Sequence, residues 1–233
     1  MVILNIETST NCCSVAITID GDVVAMAANL DGANHASELP VYIEQVLKKA
    51  KENEWKLDAV ALSQGPGSYT GLRIGCSMAK GLCYGLNIPL IPVDTLQVIA
   101  AAALAKSGEK IPQDAMLCPL LDARRMEVYT SIYTHECVRA KDVEAKIIDE
   151  GSWSEELAKG QLYLMGNGAE KCKSVVTSTN AIFIDGIVPE AQYMGKLAEK
   201  GELLDVKSLA YYEPFYLKEF VAAPSHIKGL ESK

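Results

Sequence analysis

Histidine is almost missing from this sequence, with three among 233 residues. His35 would open a helix, yet the residue one turn on is Leu39, so the two-histidine helical metal pair is not formed. His135 and His226 fall in polar stretches. Cysteine is present but unpatterned: there are seven, an odd number without a C-x-x-C pair, and the adjacent Cys12 and Cys13 cannot close an ordinary unstrained disulfide. A zinc cage is excluded, and the thiols read as small buried apolar groups in a reducing compartment. Basic charge is also short, at 22 Lys and Arg against 30 Asp and Glu, a net charge of −8 and a pI near 5.0. Phosphate contacts need clustered cations that release counterions, so a nucleic-acid role would need a partner. The longest apolar stretch, Val98 to Ala105, is well short of the roughly 18 residues of a membrane span. Met1 to Ile6 carries no basic region and runs straight into Glu7, the pattern of a strand and not of a signal peptide. A soluble cytoplasmic protein is expected, with no membrane role.

What is there suits a globular chain: 49% hydrophobic and 22% charged residues in a length at which folding buries roughly 70% of the extended surface. Val2–Ile6, Ser14–Ile19 and Val23–Ala28 read as an antiparallel meander with a turn at Asp20-Gly21. Leu39, Ile43, Val46, Leu47 and Ala50 recur at helix spacing between Ala36 and Asn53. Then come a strand at Asp58–Leu62, a turn at Gly65-Pro-Gly67, a helix at Tyr69–Leu86, a strand at Ile88–Val93 and a helix at Thr95–Ala105. After a linker-like stretch the pattern restarts with strands Met116–Leu121 and Glu127–Tyr133. Ile6-Glu7 and Leu121-Asp122 each place a carboxylate just after a first strand. The expectation is a duplicated α/β architecture, residues 1–105 forming one lobe and 114–233 a second, with a cleft between them.

Ser63-Gln-Gly-Pro-Gly-Ser-Tyr-Thr-Gly-Leu-Arg-Ile-Gly75 joins strand to helix as an anion-binding glycine loop could. It is not a P-loop, because Leu72 and Arg73 follow Gly71 where lysine is required. Ser9, Ser14 and Ser68 lack a G-x-S-x-G setting and a histidine base, so no catalytic constellation emerges. The helix after the loop has two apolar stripes, Gly71, Gly75 and Ala79 on one side and Ile74, Met78 and Leu82 on another. It is either covered all round by its own chain or shares a face with a partner. Glu7, Ser9 and Thr10 in one turn, and Gly166 and Gly168 in another, are the candidate nucleotide-binding groups across the cleft.

Three segments carry a family resemblance: Ile6-Glu-Thr-Ser-Thr10, Asn34-His-Ala-Ser-Glu-Leu-Pro40 and, most specific, Gly65-Pro-Gly-Ser-Tyr-Thr-Gly-Leu-Arg-Ile-Gly75. With weaker echoes in Leu121-Asp-Ala-Arg124 and Pro214-Phe-Tyr-Leu-Lys218, the sequence resembles the TsaB (YeaZ) family of tRNA threonylcarbamoyladenosine biosynthesis. The resemblance implies an actin-like, Hsp70-like fold of the ribonuclease H type, duplicated, with a reduced second lobe. It also implies a non-catalytic scaffold and activator that dimerises with TsaD, joins TsaE in a ternary complex and reaches tRNA only through the complex. TsaD would transfer the threonylcarbamoyl group to adenosine in tRNAs reading codons that start with A. The two N-terminal helices would supply the interface, through His35, Glu38, Leu39, Tyr42, Ile43, Val46, Gly71, Leu72, Ile74, Gly75, Met78 and Leu82. No metal and no cofactor is required on this reading, with weak nucleotide binding, or nucleotide held at the partner interface, as alternatives. The isolated chain could also form a homodimer. The rival reading is an enzyme, an actin-fold small-molecule kinase or a metalloprotease-like relative.

Overall fold

The computed structural model describes residues 1–218. Its chain lays down two five-stranded sheets in succession. β1 (Val2–Glu7), β2 (Cys13–Ile19) and β3 (Asp22–Asn29) form the antiparallel meander. Helix α1 (His35–Glu52) crosses to β4 (Ala59–Gly65), and α2 (Tyr69–Leu86) crosses to β5 (Leu90–Asp94), both strands parallel to β1. α3 (Thr95–Ser107) then leads to the second sheet. There β6 (Met116–Asp122), β7 (Glu127–Thr130) and β8 (Glu144–Ile147) repeat the meander, and α4 (Ser154–Lys159), β9 (Leu162–Met165), α5 (Ala169–Cys172) and β10 (Ala181–Ile184) repeat the parallel half.

The orders β3-β2-β1-β4-β5 and β8-β7-β6-β9-β10 are the same plan used twice. The expected duplication is therefore real, and Glu7 and Asp122 occupy equivalent ends of the two central strands. Crossover connections between parallel strands need helices, which is why the strands beside β1 and β6 alternate with them.

One face of the first sheet packs on α1 and α2, with Leu39, Ile43, Val46, Cys76, Ala79 and Cys83 set against Leu4, Ile6, Val15, Ile17 and Leu62. The other face packs on Val98 of α3 and on Ala191, Met194 and Ala198, the last two flanking and ending α6 (Gly195–Ala198). The segment expected to lie wholly in the second lobe thus returns to the first. Leu204 bridges to Leu90, and the Phe215 N–H donates to the Gln64 carbonyl at 2.7 Å.

α3 has no polar face because it lies between the sheets. Leu96, Ile99 and Ala103 join Leu117, Leu121 and Met165 of the second sheet, while Val98 joins the first. Asp94 caps this helix through the Leu96 N–H at 2.8 Å. The same carboxylate accepts from Tyr133 Oη at 2.8 Å and pairs with Arg139, fixing one lobe to the other. Among the described residues no helix is long and apolar enough to cross a membrane.

Candidate functional site

The two helices of the first lobe lie side by side on one sheet face, and their sequence sets which surfaces remain open. Ser68 caps α2 by accepting from the Gly71 N–H at 3.3 Å, and Asn87 ends it in the left-handed region at φ 53°. Between these caps the glycine stripe faces inward. A Cβ added at Gly71 would lie 2.1 Å from the Thr8 carbonyl oxygen, and one at Gly75 would lie 2.3 Å from Thr8 Oγ1. The Thr8 hydroxyl donates to the Gly71 carbonyl at 2.9 Å, locking that approach. Only glycine admits the turn after β1 so close to the helix.

This corrects half of the expected interface. Gly71, Leu72 and Gly75 are buried against their own sheet, as are Leu39, Ile43 and Val46 of α1. They are the inward stripe of two amphipathic helices, and a partner cannot reach them without unfolding the lobe. The remaining residues lie at the surface. Ile74, Met78 and Leu82 are half-buried, packed along the edge of the core between the helices. Tyr42 and Glu38 are half-buried on α1, joined by a hydrogen bond of 2.8 Å. Glu38 also accepts from the Asn34 N–H at 2.9 Å and Asn29 Nδ2 at 3.0 Å. These donors hold its carboxyl below the ordinary carboxylate value, the Asn34 backbone contributing most. His35 meets the Cys12 carbonyl through Nε2 at 3.0 Å.

Sequence periodicity missed the outermost residues of this face. Val41 is 47% exposed and Tyr84 78% exposed. At Gly81 and Gly85 an added Cβ would meet nothing within 4 Å. The outer faces of α1 and α2 thus leave an aliphatic and an aromatic side chain open to solvent, and aromatic residues are enriched in protein interfaces.

The proposed nucleotide-binding turns are closed. Glu7 and Thr8 are fully buried, and Ser9 and Thr10 nearly so. The Ser68 N–H donates to the Ser9 carbonyl at 2.6 Å, and a Cβ at Gly67 would lie 2.3 Å from that same oxygen. The loop before α2 is therefore seated on the Glu7–Thr10 turn where a phosphate would have to enter. Ser9 N and Oγ both donate to Glu7 Oε1, at 2.6 and 2.5 Å. Burial pushes the Glu7 carboxyl up, with Ser9 and then Ser63 opposing the shift. Glu7 Oε2 and the Ser63 hydroxyl are buried there without a well-formed hydrogen bond.

In the other lobe, the Gly168 N–H donates to the Leu120 carbonyl at 2.9 Å, and the Asn167 side chain accepts from the Asp122 N–H at 2.9 Å. A Cβ at Gly166 would strike that same Leu120 oxygen at 2.4 Å. Gly166 and Gly168 therefore buttress the end of β6, and neither turn fits a nucleotide phosphate as it stands. Among the described residues, no three His, Cys, Asp or Glu side chains gather in a group that could hold a metal ion. His226 lies outside the described residues.

The doubled sheet plan is that of a two-lobed actin-like protein, and comparison with known proteins agrees. YeaZ from Pseudomonas aeruginosa superposes with a TM-score of 0.75 over 93% of this chain and 99% of its own, at 23% sequence identity. Residues 29–158 match the model of the TsaD family, tRNA N6-adenosine threonylcarbamoyltransferase. The tRNA threonylcarbamoyladenosine biosynthesis protein TsaB of Haemophilus influenzae is 32% identical over 95% of both chains. That of Escherichia coli K12 is 29% identical over 95% of this chain and 96% of its own. The chain belongs to the TsaB (YeaZ) family, a relative of TsaD.

Proposed function

We propose that this chain serves tRNA threonylcarbamoyladenosine biosynthesis as a non-catalytic subunit that docks on a TsaD transferase through the outer face of α1 and α2. Its place in that biosynthesis follows from membership of the family. The observation that carries the docking role is the exposure of Val41 on α1 and Tyr84 on α2, with Tyr42, Ile74 and Met78 half-buried, on two helices whose inward faces are already committed to the core. Large apolar side chains grouped on a surface mark an interaction site. TsaD, whose family model matches this chain from β3 to α4, would bring an equivalent helix pair, and two such pairs make a four-helix interface.

A supporting role for the cleft fits the full burial of Glu7. A kinase needs a carboxylate that its substrate can reach, and here the carboxylate is covered. TsaE would join the assembled pair, and the protein would work in the cytoplasm. Reconstitution tests the reading: purified TsaD from the same organism, threonylcarbamoyl adenylate, TsaE with ATP and a tRNA transcript are incubated with and without this chain. The modified nucleoside should form only when both proteins are present. Modification by this chain without TsaD would overturn the non-catalytic role.

A further inference from the structure

The chain has only four arginines, and three of them lie along one line of contacts on the surface. Arg73 on α2 stacks over the Tyr69 ring, 4.4 Å from its centroid. Tyr69 in turn packs on Tyr216 at 5.1 Å between centroids. Two residues along, at most about 7 Å of chain, Lys218 pairs with Glu127 at the start of β7. The hairpin that precedes Glu127 carries Arg124 and Arg125, both exposed.

That hairpin is built at a cost. Arg124 and Arg125 are consecutive residues at φ 70° and 48°, a region that side-chain-bearing residues avoid and that clusters at functional sites. Lys171 holds the turn in place by donating to the Arg125 carbonyl at 2.9 Å, to the Glu127 carbonyl at 2.6 Å and to Asp122. Among the described residues neither guanidinium has an acceptor. The two carboxylates beside them are already neutralised, Asp122 by Lys171 and Glu127 by Lys218. Among its described residues, an otherwise acidic protein therefore presents two guanidiniums without an acceptor, a third on an aromatic ring, and the half-exposed Phe215 beside Tyr216.

Guanidiniums grip phosphate oxygens in bidentate fashion, and aromatic rings stack on unpaired bases. We propose that Arg73, Arg124 and Arg125, with Tyr69, Phe215 and Tyr216, contact an unpaired segment of the tRNA in the assembled complex. This rests on the docking role above and refines it, since RNA would then touch this chain directly. An acidic protein partner would satisfy the guanidiniums but would leave the aromatic line without a purpose.

The test is tRNA binding, by fluorescence anisotropy of a labelled transcript, to the complex of TsaD with the full-length chain. Arg124→Asn with Arg125→Gly removes both charges and installs the two residues that adopt positive φ most easily, so the hairpin should be at least as stable. The double variant should weaken tRNA binding by about 10-fold or more and lower the slope of log affinity against log salt by about 2. Tyr216→Ala should weaken it roughly 5- to 100-fold. In both, assembly with TsaD should be unchanged. Equal tRNA affinity and salt slope in wild type and double variant would overturn the inference. So would loss of assembly in a folded double variant, which would assign the surface to a protein partner. If the wild-type chain itself fails to assemble with TsaD, the docking role falls, and this inference with it.

Discussion

Replacing two glycines of the same helix by alanine should move stability in opposite directions. At Gly71 the new methyl would sit 2.1 Å from the Thr8 carbonyl oxygen, whereas at Gly81 it would meet nothing within 4 Å. The Thr8 oxygen belongs to the backbone of a fully buried residue just past the end of the central strand, so relief requires α2 to lift by more than 1 Å, judged against an ordinary van der Waals contact of 3.4 Å or more. Overpacking of this kind costs up to about 3 kcal/mol, and alanine returns up to about 1 kcal/mol of helix propensity. Gly71→Ala should therefore lose about 2 kcal/mol, and Gly81→Ala should gain up to about 1 kcal/mol. For a chain of this length each kcal/mol moves Tm by about 2–4 °C. Thermal melts by far-UV circular dichroism should show Gly71→Ala about 4–8 °C below wild type and Gly81→Ala about 2–4 °C above. A raised Tm for Gly71→Ala, or the same sign for both, would refute the inward placement of the glycine stripe.

Other consequences follow from buried polar groups. Glu7 binds its proton more tightly folded than unfolded, so above its ordinary value of 4.5 the folded chain holds the extra proton and loses stability as pH rises through the folded pKa. Glu7→Gln removes that loss, and its Tm relative to wild type should climb as the pH rises above 4.5. Arg139→Met deprives the Asp94 carboxylate of its cation while leaving Tyr133 and the Leu96 N–H in place, and should cost about 1–3 kcal/mol in urea unfolding. All seven cysteines are free and buried, and burial pushes the Cys13, Cys83 and Cys118 thiols up to about 12. A thiol reagent near neutral pH should label few of them in the native state and all seven after denaturation.

The bounds of α2 were legible because the Gly65-Pro-Gly67 turn precedes it and Asn87 and Pro89 follow it, and the repeated strand–carboxylate pattern at Glu7 and Asp122 disclosed the duplication. Periodicity shows that a helix has two apolar stripes, but not which of them faces the sheet. That choice lies in Thr8, 63 residues from Gly71 in sequence. Gly75→Arg, which the stripe alone nominates as an interface variant, would drive a long side chain into Thr8. The Glu7–Thr10 turn reads as an open ligand loop because nothing local reveals that residues 67–71 close over it. The return of residues 191–215 to the first sheet, and the contact of Asp94 with Arg139 between the lobes, are likewise products of long-range packing. Arg124 and Arg125 carried a signal that composition hides, since two adjacent arginines in a hairpin turn stand where Asn and Gly would be expected.

The proposed docking of TsaD on the outer face of α1 and α2 is tested most directly by isothermal titration calorimetry of the full chain with TsaD from the same organism. Val41→Glu and Tyr84→Glu alter exposed residues, so each variant should melt near wild type. Val138→Glu, 60% exposed in the second lobe, serves as the control. A carboxylate left desolvated and unpaired in an interface costs about 2–5 kcal/mol, so the two helix variants should bind about 30-fold to several thousand-fold more weakly. The control should bind as wild type does. Wild-type affinity in both helix variants, with their folds intact, would contradict the assignment of this face to the partner.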